Sequence, residues 1–297
     1  MKWLKRLTIS VILLLTLFLV ALYFMAPGMI LYPRKVNWDK KPADFNLPAE
    51  DITLVSFDST VLKGIWVRHD TARQRPVIVL LHGVGNCKER WLPTAQWLWQ
   101  QGYSLVMMDS RAHGQSGGTC CSYGYYEKKD VSRLLDYLLA RDSTLQIGVW
   151  GHSLGGAIAL QSMAYDKRIQ FGIVESTFTH FRNIVYDYQS RLFKVSSRTF
   201  ADNAIERAAR QGGFEPDSIV PCQAAEQIQC PVFMAHGTED ERIKFEYGRV
   251  NFDHLATPNK EFYPVQGAHH NDLSRYGGTE YAAAILQFLK RVRRDER

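Results

Sequence analysis

From residue 52 onward the chain repeats one pattern: a short run of apolar residues, a polar turn, then a longer stretch with helical spacing. The short runs stand at 76–82 (PVIVLLH), 104–109 (SLVMMD), 146–151 (QIGVWG), 171–176 (FGIVES), 231–237 (PVFMAHG) and 260–265 (KEFYPV). They are continuous rather than alternating, as parallel strands covered on both faces require. Ahead of them, ITLVSF (52–57) and LKGIWV (62–67) flank Asp58-Ser59-Thr60 and predict a β-hairpin. Helical patterns fill the gaps, among them 125–142 and 280–296. The order predicts an α/β domain over 52–297, with a mostly parallel, doubly wound sheet. One interval is too long for a single crossover: more than 50 residues separate Ser176 from Pro231. An aromatic amphipathic stretch (178–195) and a helical one ending in Gly-Gly (198–214) predict a helical insertion, a lid, over 178–229.

The N-terminus follows a different rule. From Leu7 to Pro33 there is no charged residue, and Leu7–Ala26 is long enough as a helix to cross roughly 30 Å of hydrocarbon. Phe24 lies two positions before Ala26, a poor site for a signal peptidase, and apolar residues continue through PGMILYP. Residues 1–33 are therefore read as one uncleaved transmembrane helix, with Trp3, Tyr23 and Tyr32 as interfacial aromatics. Polar residues 34–51 follow as a linker. The charges on the two sides are evenly split, and the short basic N-terminus favours a single-pass topology with the body outside the cytoplasm.

Charge alters the picture only by its location. The net charge of +6 resides wholly in the tails, Lys2, Lys5 and Arg6 at one end and residues 290–297 at the other. Residues 7–289 sum to zero, and a neutral body with basic ends does not suggest nucleic-acid binding, which needs a basic face. The C-terminal cations are read as a solvated helix end. The five cysteines include no C-x-x-C pair. Cys222 and Cys230 are candidates for a bridge in an oxidising compartment. Cys120 and Cys121 are candidates for an accessible thiol.

The candidate chemistry centres on VWGHSLGGAIAL (149–160). Gly151-His152-Ser153-Leu154-Gly155 fits G-x-S-x-G between a strand and a helix, the context in which a strained turn presents a serine hydroxyl. The helix start leaves the N–H of Leu154 free to face an oxyanion. A serine needs a base held by an acid. HGTEDERI (236–243) offers Glu239 and Asp240, and GAHHND (267–272) offers His269 and His270. Adjacent histidines rarely point at one ion, and there is no H-E-x-x-H, so no metal and no cofactor are expected.

Together LHGVG (81–85), DSRAHGQSGG (109–118), GHSLGG (151–156), HGTEDERI and GAHHND resemble, in order, the motifs of the α/β-hydrolase superfamily. With the N-terminal anchor, the chain is similar to the membrane-anchored, Bem46-like branch. The resemblance implies an α/β-hydrolase fold and a catalytic Ser153, Asp240 and His270. It also implies an oxyanion hole from the backbone N–H groups of Val84 and Leu154. His269 then stands where the branch usually has glycine, and Ala112 replaces the first glycine of D-x-R-G-H-G. His82, Asp109 and Arg111 are read as loop organisers. Trp91, Trp97 and Trp99 either line an acyl pocket or pack in the core.

The expected function is a serine esterase or thioesterase, working through an acyl-enzyme on a small-molecule or lipid-derived ester with an apolar acyl chain. A peptidase of prolyl-oligopeptidase type shares the triad order, but that class usually carries a β-propeller and none precedes this body. A non-catalytic membrane-tethered module is the remaining alternative.

Overall fold

The computed structural model describes residues 2–69, 76–194 and 196–293. Eight strands form one sheet: β1 (Ala49–Val55), β2 (Val61–Val67), β3 (Val77–Leu81), β4 (Ser104–Met108), β5 (Ile147–His152), β6 (Ile169–Glu175), β7 (Val232–Gly237) and β8 (Lys260–Val265). Their order is β1-β2-β4-β3-β5-β6-β7-β8, antiparallel from β1 to β4 and parallel thereafter. The hairpin begins at Ala49, three residues earlier than its apolar run, because main-chain pairing with Val67 extends β1 through polar Glu50 and Asp51.

The continuous apolar strands are covered on both faces. Val77, Val79 and Leu81 of β3 join one core with α3 (Glu127–Leu139) and α4 (Leu154–Tyr165). Ile78 and Leu80, pointing the other way, join a second core with α2 (Leu92–Gln100) and α9 (Leu273–Arg291). The chain leaves β3 for β4 on one side and returns to β5 on the other. That reversal opens a crevice beyond the strand ends, where ligands of such sheets bind. α9 starts at Leu273, before its helical run at 280, and breaks at Gly278 (φ 52°, ψ −142°). The expectation for the C-terminal tail falls partly on residues 294–297, outside the described residues.

Between β6 and β7 the chain forms α5 (Phe181–Phe193), α6 (Arg198–Gly212) and α7 (Pro221–Ala225) before α8 (Phe245–His254) follows β7. Phe181 and Ile184 of α5 and Ala204, Ile205, Ala208 and Ala209 of α6 build a third core. This core also takes in Ala26, Ile30 and Leu31, the end of the N-terminal helix.

That helix, α1 (Lys2–Leu31), therefore runs five residues past Ala26, through Pro27 and Gly28. Packing outweighs the local helix-breaking signal. Pro27 has no N–H for the carbonyl of Tyr23, and Arg207 of α6 donates to that carbonyl instead, with its guanidinium 3.9 Å over the Tyr23 ring. The last carbonyls of α1 are also taken up by the body: Tyr123 donates to Ile30 (2.9 Å) and the Cys121 amide to Leu31 (2.9 Å). Within the exposed apolar part, Thr8 and Thr16 donate to the carbonyls of Leu4 and Ile12, leaving their hydroxyls satisfied. α1 is one helix long and apolar enough to cross a membrane. The linker after it is not featureless, since a 3-10 turn (Pro42–Phe45) sets Phe45 beside Trp38.

All five cysteines are free. Cys222 lies 3.8 Å from His180 and Cys230 contacts Met163, so the proposed bridge is replaced by separate packing environments. Cys120 and Cys121 are buried, and burial raises both thiol pKa values, so neither is the accessible thiol their position near the rim suggested.

Candidate active site

Ser153 stands between β5 and α4 with φ 57° and ψ −120°, a backbone region that costs a non-glycine residue on the order of 1–3 kcal/mol. The neighbouring glycines make the turn sterically allowed. A Cβ on Gly151 would lie 2.0 Å from the Gly155 carbonyl oxygen, and one on Gly155 would lie 2.0 Å from that of Leu81. The Ser153 amide donates to Glu175 (2.9 Å) and its carbonyl accepts from Thr177 Oγ1 (2.8 Å), so the strained turn is tied to β6.

Residues far apart in the chain meet at this serine. Ser153 Oγ donates to His270 Nε2 at 3.0 Å, and His270 Nδ1 donates to Asp240 Oδ2 at 2.7 Å. Asp240 Oδ1 accepts from the amides of Arg242 and Ile243, both at 2.9 Å. Burial alone would raise the Asp240 carboxyl. Hydrogen bonds from His236 and His270, together with the pull of His270, outweigh burial and hold it well below the usual carboxylate range. For His270, burial is the largest influence and lowers the pKa, assisted by His152 and Arg242 and opposed by Asp240. A neutral imidazole between a hydroxyl and a fixed carboxylate can accept the hydroxyl proton.

The other members of the two pairs point elsewhere. Glu239 is exposed. His269 is exposed, bonded through Nδ1 to the Glu239 carbonyl and the Glu241 carboxylate, each at 3.0 Å. The Glu241 contact raises the pKa of His269. The extra imidazole in the usual glycine position therefore faces solvent, away from the serine.

The LHGVG loop passes directly over the elbow, where a Cβ on Gly83 would sit 3.3 Å from Ser153 Cβ. His82 fixes this loop: its Nδ1 donates to the Gly83 carbonyl (2.8 Å) and its Nε2 accepts from the Ser110 amide (3.0 Å). Asp109 accepts from the Lys88 amide (2.7 Å), Lys88 Nζ (2.8 Å) and the Gln115 amide (2.9 Å). Arg111 pairs with Asp130 and Asp58. Val84 and Leu154 both lie at the pocket beside Ser153.

Two chambers meet at Ser153. One is apolar and encloses about 860 Å³ including its mouth, lined by Val84, Leu154, Phe178, Ile184, Tyr188 and Leu192. The other is polar, with Asn86, Arg90, His152, Glu175, Arg242 and Asn271. The tryptophans do not line the apolar chamber. Trp91 packs on Trp150 and borders the polar one, Trp97 packs against the α2–α9 core, and Trp99 donates to the Arg68 carbonyl. The sequence reading missed Glu175 and Arg90, which carry no motif, and gave no role to His236, the first residue of HGTEDERI, whose Nε2 lies 3.3 Å from Asp240 Oδ2. No group of three or more His, Cys, Asp or Glu suited to a metal occurs among the described residues.

With this geometry in place, relatives sharpen the picture. The family described as serine aminopeptidase, S33, matches residues 72–220, just over half of the chain. The chain belongs to this α/β-hydrolase family. Protein YqkD of Bacillus subtilis is 25% identical over 233 residues, covering 77% of this chain and 75% of its own. The lysophosphatidylserine lipase ABHD12 of Rattus norvegicus is 25% identical over 249 residues, 76% of this chain and 58% of that longer protein. A Pyrococcus furiosus esterase superposes with a TM-score of 0.75 at 23% identity, over 88% of this chain and 98% of that one, and shows the shared α/β-hydrolase fold.

Proposed function

We propose that the protein is a membrane-anchored serine hydrolase that cleaves carboxylic ester or thioester bonds carrying an apolar acyl chain. The observation that carries this reading is the hydrogen-bonded chain Ser153–His270–Asp240, at 3.0 and 2.7 Å, opening onto an apolar chamber. In this mechanism Ser153 Oγ attacks the acyl carbonyl as His270 takes its proton, and Asp240 holds the resulting imidazolium. The N–H groups of Val84 and Leu154 receive the oxyanion, each donor being worth roughly 3 kcal/mol. His270 returns the proton to the leaving alcohol or thiol. Water, activated by the same imidazole, then releases the acyl group from Ser153.

The division of the site supports an amphipathic substrate. The acyl chain fits the apolar chamber, and the leaving group the polar one, where Arg90 and Arg242 favour a negatively charged headgroup. The name of the lysophosphatidylserine lipase relatives points the same way. We infer that Lys2, Lys5 and Arg6, ahead of the apolar helix, stay on the cytoplasmic side and the body lies outside it, which protease accessibility in sealed vesicles checks.

A fluorophosphonate probe tests the core of the proposal. The full-length protein should label, and Ser153→Ala should abolish labelling without changing the melting temperature by more than a few degrees. An unlabelled parent protein sinks the reading. A second reading, an aminopeptidase, draws on the family description and on Glu175, a buried carboxylate at the polar chamber able to receive an amine. Turnover of aminoacyl anilides in preference to p-nitrophenyl esters would favour it.

A further inference from the structure

The end of α1 is not merely a tether. Ala26, Met29 and Ile30 line the same apolar chamber as Ser153, opposite Ile184, Tyr188 and Leu192 of α5. Ala26 and Ile30 are buried against α6, whereas Met29 (51% exposed) and Leu192 (57% exposed) stand at the surface. These are apolar chamber residues on the outside of the body, one from the anchor and one from the lid.

Their height relative to a bilayer follows from the helix. The uncharged segment Leu7–Met25 rises about 28 Å, close to the roughly 30 Å of a hydrocarbon core. Burial in the body begins at the next residue, Ala26. Tyr23, with Arg207 stacked on it, sits at that boundary, where aromatic rings settle between hydrocarbon and water. The chamber wall therefore starts where the hydrocarbon ends. The Arg207 bond to the Tyr23 carbonyl freed by Pro27 ties this wall to the lid, and the Tyr123 and Cys121 bonds to the last carbonyls tie it to the body of the domain.

We propose that the last turns of the anchor helix, Ala26–Leu31, form the acyl-binding wall of the active site, so that a long single-chain acyl ester resident in the bilayer reaches Ser153 along α1 without crossing water. The inference rests on the serine-hydrolase reading above and adds the source of the substrate and the residues that select it. A chain drawn from the bilayer keeps its methylenes out of water throughout. Long acyl groups should thus be preferred in the membrane-bound enzyme, and the preference should depend on α1.

The test uses the full-length protein in phosphatidylcholine vesicles, with monoolein and monobutyrin as a long and a short ester of the same alcohol. Met29→Trp and Ala26→Trp, which fill the chamber from the α1 side, should lower the ratio of kcat/KM for monoolein over monobutyrin at least tenfold. Leu14→Trp, equally large but on the lipid-facing part of α1, should leave the ratio within twofold. Met29 is exposed, so Met29→Trp carries the test even if Ala26→Trp destabilises the fold. A ratio unchanged in Met29→Trp, or lowered equally by Leu14→Trp, overturns the proposal. So does a parent enzyme that labels with fluorophosphonate yet hydrolyses both esters equally. A parent that neither labels nor hydrolyses either ester overturns the serine-hydrolase reading itself, and this inference with it.

Discussion

The two walls of the site are built by different physics. The wall carrying Ser153, His270 and Asp240 is made of loops at the ends of β3, β5, β7 and β8, pinned by short hydrogen bonds and a strained serine. The opposite wall, made of α1, α5 and α6, is held mainly by apolar packing around Ile205 and Phe181. Hydrogen bonds with defined angles fix reacting atoms within fractions of an ångström. Side-chain packing fixes a shape but tolerates volume-conserving change. A hydrolase of this kind needs the first for proton transfer and the second for a substrate tail that has no polar handle.

Substitutions can separate the walls. The largest effect is expected on the polar side: Asp240→Asn removes the acceptor that sets the His270 tautomer and should lower kcat by about 10⁴ on short and long esters alike. Steady-state kinetics on p-nitrophenyl butyrate and laurate check this, and a chain-length-dependent loss would contradict the division. On the packed side, Ile205→Ala should cost about 3 kcal/mol of stability, read as a lower midpoint in denaturant. Its kinetic loss should be larger for laurate than for butyrate, because the catalytic hydrogen bonds stay in place.

A smaller effect should appear in pH dependence. Burial lowers the pKa of His270, so its neutral, proton-accepting form persists below the ordinary histidine value of 6.5. The acid limb of kcat/KM should therefore lie below pH 6.5, activity falling as the pH drops and His270 gains its proton. The stability sign agrees: the unfolded histidine binds its proton first, so stability also falls as pH drops through this window. His269→Ala should leave the limb and the rate within about threefold, because that ring faces solvent. A limb that moves with His269 rather than with the His270 environment would reverse the assignment. The smallest effect concerns Ala112, which holds φ 61° in a buried loop. Ala112→Gly relieves left-handed strain of roughly 1–2 kcal/mol but gives up a buried methyl of about 0.8 kcal/mol. A rise of one to a few degrees in melting temperature is expected, and a fall would show that the methyl matters more.

Much of the polar wall is legible in the sequence. The apolar runs marked the strands because burial on both faces leaves no room for alternation, and β3 is apolar at every position. G-x-S-x-G announced the elbow because only glycine admits the contacts at Gly151 and Gly155. The hairpin start was misread because Glu50 and Asp51 join β1 through main-chain pairing, which leaves no hydrophobic trace. The cysteine spacing suggested a bridge, but spacing along a chain says nothing about which neighbours each sulfur meets.

By itself, the sequence determined the elements, the strained serine turn and the apolar N-terminal segment, since each follows from residue types a few positions apart. Only the tertiary structure decided which histidine faces the serine and that Trp91, Trp97 and Trp99 do not line the apolar chamber. It also decided that the apolar N-terminal helix extends through Pro27 into the chamber wall. These outcomes depend on groups distant in the chain: Asp240 for His270, Glu241 for His269, and Arg207 for the carbonyl that Pro27 leaves unpaired. Local pattern specifies local geometry, and a partner 28 to 184 residues away is set by how the whole chain packs.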